Sequence, residues 1–125
     1  MPPTRAGRSQ FLVAWVGPQS GRGSTGLRLE FWRTRGESLD LAWSTDRVAE
    51  GGLVVSRFAF DARQVSFRYE VRYPGWKPGC DGQTEYEDLY RYAPGGETFV
   101  LARRRIEGLE FLTVDQRLRV AAGAV

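Results

Sequence analysis

Residues 64–73 constrain the fold more than any other stretch of the chain. Val65, Phe67, Tyr69, Val71 and Tyr73 alternate with Ser66, Arg68, Glu70 and Arg72. Successive side chains of an extended strand point to opposite faces, so this alternation predicts a strand with one buried and one wet face. The rest of the chain reads as strands that complete the same sheet.

Residues 10–16 form the first of them. Phe11 to Val16 is apolar almost throughout, which predicts a central strand covered on both faces. Residues 27–33 and 37–44 make a hairpin in which Leu27, Leu29 and Phe31 share one face, and Leu39, Leu41 and Trp43 share one face across the turn. Gly36, in Thr34-Arg35-Gly36-Glu37, can take the positive φ that a tight turn needs. Trp32 lies on the polar face, either covering the edge of a second sheet or standing as an exposed platform. Residues 53–60 pair with 64–73 around Asp61-Ala62-Arg63, and the first arm, apolar on both sides, is expected to be central. Residues 85–92 and 97–103 make a third hairpin through Ala93-Pro94-Gly95-Gly96, with Tyr86, Asp88, Tyr90 and Tyr92 on one face. It is similar to the Tyr-rich, Pro-Gly-turned hairpins of secreted bacterial β modules, a likeness that hairpin chemistry alone explains.

The connections carry their own signals. Residues 17–26 are rich in glycine, but they lack the G-x-x-x-x-G-K-[ST] spacing and lead into a strand, so they read as a mobile connection rather than a phosphate cradle. Residues 46–50 can make one helical turn. Residues 74–84 hold two prolines, three glycines and Trp76, which predicts an ordered excursion. Near the end, Thr113 and Gln116 have the spacing of a capping box. Val114, Leu118, Ala121 and Ala122 fall near one helical face, and Gly123 is a stop. A short C-terminal helix is favoured over another strand.

These elements predict an all-β fold: a single antiparallel barrel or sandwich of seven to eight strands in sequential hairpins, with that short C-terminal helix as the favoured ending. Residues 1–9, rich in Pro, Gly and Arg, are expected to be a disordered lead-in, and residues 10–125 one β domain. No apolar run reaches the roughly 20 residues of a membrane-spanning helix. No signal peptide is legible, so the expected compartment is cytoplasmic, or exported if a leader was trimmed.

Composition narrows the chemistry. Histidine is absent, which removes the usual general base near neutral pH, the commonest metal ligand, and any Ser-His or Cys-His nucleophile pair. A single cysteine, Cys80, excludes an internal disulfide and a multi-cysteine zinc site. Lys77 is the only lysine beside seventeen arginines, which fits a GC-rich genome. The net charge of +3 is mild, with 15 acidic residues against 18 basic ones. Arginines paired across strands with Glu30, Glu70 and Glu87 account for that balance better than a phosphate-tracking surface does.

The candidate site residues follow. Trp32, Tyr73, Trp76, Lys77, Tyr86 and Tyr90 are candidates for contact with a ligand or partner, either from the loop or from a Tyr- and Trp-lined lumen. Cys80 is a candidate reactive thiol, with an inert thiol as the simpler reading. Asp81 and Glu85 are weak metal candidates, because no EF-hand spacing surrounds them. No cofactor and no catalytic residue is indicated. The expected function is non-enzymatic binding of a protein or carbohydrate-like partner through the aromatic loop. The alternatives are a small-molecule-binding barrel, as carrier or His-free enzyme, and a single-stranded nucleic-acid binder. Monomer and dimer are both open, the latter through an unpaired edge strand.

Overall fold

A computed structural model describes residues 7–19, 24–49, 52–61, 63–72, 76, 84–93, 95 and 97–122. Seven strands form one antiparallel sheet: β1 (Gln10–Gln19), β2 (Thr25–Arg35), β3 (Ser38–Ser44), β4 (Leu53–Phe60), β5 (Gln64–Glu70), β6 (Glu85–Ala93) and β7 (Thr98–Glu107). A 3-10 turn at Thr45–Arg47 follows β3, another at Leu109–Phe111 follows β7, and the helix α1 spans Val114–Ala121. No helix among the described residues is long and apolar enough to cross a membrane.

The strand order is β1-β2-β4-β5-β6-β7, and β3 also pairs with β2. β2 serves three partners because it is long. Thr25 to Leu27 pair with β4, and Glu30 to Arg35 pair with β3. All three expected hairpins are present. Gly36 takes φ +57° at the β2–β3 turn. At the β4–β5 turn, Asp61 Oδ1 accepts the N–H groups of Arg63 and Gln64 at 2.7 and 3.0 Å, a side-chain mimic of a backbone turn. Those two bonds, Arg63 first, hold the exposed carboxyl below its ordinary range.

The sheet is not closed, but it folds over itself. Phe31 of β2 meets Tyr92 and Phe99 edge-on at 5.9 and 5.2 Å between centroids, and Trp43 of β3 meets Tyr90 and Phe99 at 5.3 and 5.5 Å. Gln10 and Arg33 reinforce this closure. Gln10 Nε2 donates to the Tyr92 hydroxyl at 3.1 Å. Arg33 donates to the carbonyl of Glu97, a residue with φ +50°. The core between the two halves is filled by residues such as Leu29, Phe31, Val55, Phe67 and Tyr90.

β1 corrects one expectation. Among the described residues it pairs only with β2 and is an edge strand, with Trp15 61% and Val16 57% exposed. An apolar run is buried on two faces only where layers cover both, and here Leu12 and Ala14 pack on the core while Phe11 and Trp15 on the opposite face are exposed. Arg8 and Ser9 extend this edge from the expected lead-in: Arg8 pairs with Asp40 at 2.8 Å, and the Ser9 carbonyl accepts Thr34 N–H at 2.9 Å.

β-Bulges correct the face assignments elsewhere. Opposite β2 the register skips Ala42, so Trp43 is buried while Leu39 and Leu41 face water. Opposite β5 it skips Ser56, which brings Phe58 onto the core side with Val55. Each inserted residue reverses the facing of everything beyond it.

The expected helix forms. Thr113 Oγ1 accepts Gln116 N–H at 3.2 Å, and Gln116 Oε1 accepts Thr113 N–H at 2.9 Å, completing the capping box. Its packing face differs from the expected one. Val120 is buried against Val71 and Leu112, whereas Val114 and Leu118 are 73% and 65% exposed. Gly123 lies outside the described residues.

Candidate functional site

The feature with the most chemistry sits where β6 and β7 meet α1. The inner face of β6 carries Tyr86, Asp88, Tyr90 and Tyr92, as the alternation predicts. Asp88 is fully buried. Burying a carboxylate demands a charge partner and filled hydrogen bonds. Arg104 supplies the first through Nε to Oδ1 at 2.8 Å and Nη2 to Oδ2 at 2.9 Å, a two-pronged pair. Tyr69 O–H donates to Oδ2 at 2.9 Å, and Tyr90 O–H reaches the same oxygen at 3.4 Å.

The cluster sets the protonation of its two phenols and its guanidinium. Burial, then the Asp88 charge, pushes the Tyr69 phenol well above its ordinary range and the Tyr90 phenol up to about 12. The hydrogen bonds to Asp88 raise Arg104 further, so its charge is permanent. The phenols are therefore neutral donors and the guanidinium is a fixed cation, which suits a structural network rather than a proton shuttle. Tyr90, a candidate ligand contact on sequence grounds, is buried here and stacks on Phe67 at 5.6 Å.

Arg104 also lies over the Tyr86 ring at 4.8 Å, and that ring opens onto a groove. The groove has a volume of about 550 Å³, with Tyr86 and Ile106 as its floor and Leu109, Val114, Leu118 and Val120 as its wall. Arg117 is the charged side chain among the lining residues, and its Nε donates to the Leu109 carbonyl at 2.8 Å. Strand alternation picks out Tyr86 in the sequence. Helical spacing picks out Val114 and Leu118 as sharing one apolar face.

The other expected residues are dispersed. Trp32 is half-buried on the outer face, between Phe11 on β1 and Leu41 on β3. Trp76 is half-buried too; its indole N–H donates to buried Glu70 at 3.0 Å, and the Arg72 guanidinium lies 5.2 Å from its ring centre. Tyr73, Lys77, Cys80 and Asp81 lie outside the described residues, and with them most of the aromatic loop. Glu85 bonds Ser56 at 2.8 Å and Arg68 at 3.1 Å. No three His, Cys, Asp or Glu side chains converge among the described residues.

Replacing Trp76 by alanine tests what that ring does. It removes a hydrogen bond to a buried carboxylate, so a loss of about 1–3 kcal/mol of stability is expected in urea denaturation. An unchanged midpoint would make the ring a detached platform.

The outer face carries the arginines in cross-strand pairs. Arg57 and Arg105 both reach Glu87, at 2.8 and 3.4 Å, and Arg68 joins Glu85 to Glu107. Arg28 bridges Glu30 and Asp46. No protein-family model matches this chain, and no curated protein or solved structure matches it either.

Proposed function

We propose that the protein is a non-enzymatic binding domain whose seat is the groove beside α1, and that its ligand is a small molecule with an apolar body and an anionic group. One observation carries this reading: Val114 and Leu118 stand exposed over a ligand-sized apolar concavity of about 550 Å³. Pockets of that size and character are the usual seats of small ligands. Covering such side chains is favourable by about 25 cal/mol per Å² of apolar surface.

Arg117 selects the polar end. Its one side-chain hydrogen bond among the described residues uses Nε, which leaves both terminal nitrogens for an anion. The aromatic interior supports the groove over a lumen, because Phe31, Trp43, Phe67, Tyr90 and Phe99 fill one another's contacts. The paired outer-face arginines weaken the case for a phosphate backbone as partner.

Calorimetric titration with dodecanoate tests the reading. Saturable binding at one site is expected. Leu118→Glu should weaken it at least about tenfold, or 1.4 kcal/mol, while leaving the fold intact. Arg117→Gln should weaken dodecanoate but spare dodecanol. Absence of saturation, or equal binding by Leu118→Glu, would overturn the proposal.

A further inference from the structure

Among the described residues three strands pair with one neighbour only, β1, β3 and β7, and they differ in charge: β3 carries Asp40. β7 carries Arg103, Arg104 and Arg105 in succession, which guards an edge against pairing with its own copy. β1, with the sequence QFLVAWVGPQ, has no charged residue over its ten positions. It also has exposed apolar side chains at Phe11, Trp15 and Val16.

The register shows which backbone groups face outward. Thr34 N–H donates to the Ser9 carbonyl, and the pairing then runs from Gln10↔Arg33 to Val16↔Leu27 without a break. In an antiparallel ladder, hydrogen-bonded pairs alternate with non-bonded ones. Phe11, Val13 and Trp15 therefore bond to β2, and Leu12, Ala14 and Val16 direct their N–H and C=O groups to the open side.

We propose that β1 is a self-pairing edge and that its occupant is β1 of a second copy of this chain, antiparallel about a two-fold axis at Ala14. That axis sets Ala14 opposite the partner's Ala14, Leu12 opposite the partner's Val16, and Val13 opposite the partner's Trp15. Isologous pairing of this kind closes after two subunits. No like charges meet across it, and a small residue lies on the axis. On the outer face the partner's Trp15 extends the apolar patch that Phe11, Trp32 and Leu41 already make.

Sedimentation velocity of the full chain tests this. The wild type is expected at twice the 14.1 kDa chain mass, shifting toward monomer on dilution. Ala14→Pro removes an outward N–H without touching the β1–β2 bonds, and prolines are tolerated on such an edge. It should halve the mass with an unchanged circular dichroism spectrum. Val16→Lys, at an exposed position, should do the same by placing charge against the partner's Leu12, and it serves if the proline variant does not fold. A wild type that remains monomeric at every concentration, or a dimer that persists in a folded Val16→Lys variant, would overturn the assignment.

Discussion

Arg104→Met is expected to destabilise the protein by about 3–5 kcal/mol, because it strands a buried carboxylate without its counter-charge. Among the described residues Asp88 would retain only the Tyr69 and Tyr90 hydroxyls, which cannot replace a two-pronged guanidinium. The total stability of a domain this size is about 5–15 kcal/mol, so the variant should be largely unfolded by mild urea. The second substitution Asp88→Asn should then restore much of the loss, since no unpaired charge remains. Urea midpoints for the single and double variants, compared as a cycle, measure this. Additive losses would mean that the pair is not coupled.

Phe31→Ala should lose about 3–5 kcal/mol by a different route, the opening of a cavity. Phe31 is fully buried and is the side chain of β2 on which Tyr92 and Phe99 close edge-on. Its removal would loosen the closure of the folded sheet, which Trp43, Gln10 and Arg33 also hold, as well as lose apolar burial. Phe60→Ala is the control: Phe60 is stacked on Phe58 at 6.3 Å but is partly exposed to solvent. A loss under about 1 kcal/mol is expected there. Equal losses at both positions would contradict the central place of Phe31.

The structural network and the groove divide the site between them. Asp88, Arg104 and the phenols hold β6 to β5 and β7 and fix the Tyr86 ring from behind. A rigid floor of this kind lowers the ordering that a ligand must impose. The helix wall is anchored differently, by its capping box and by Val120 against Leu112 and Val71. Leu118 is largely exposed on the groove face whereas Val120 is buried, which lets Leu118 vary without loss of the fold.

Local chemistry alone determined much of this protein. The alternation expected over 64–73 places β5 and its inward residues Val65, Phe67 and Tyr69, because period-two patterning is a property of the strand itself, although β5 ends at Glu70 and Tyr73 lies outside the described residues. Gly36 and the Thr113–Gln116 pair mark a turn and a helix start, because both act within a few residues. Tertiary structure decided the rest through single inserted residues and strand neighbours. By parity, Arg103 and Arg105 share the inward face with Phe99. The register opposite β6 instead skips Ala102, so Asp88 meets Arg104 and Tyr86 meets Ile106. Nothing in the local sequence distinguishes these three consecutive arginines. The choice among them is made by the buried carboxylate across the ladder, which only the paired strand brings into place. The edge position of β1 has the same origin: apolar content records what a strand can bury, and the neighbours that β2 accepts decide what it does bury.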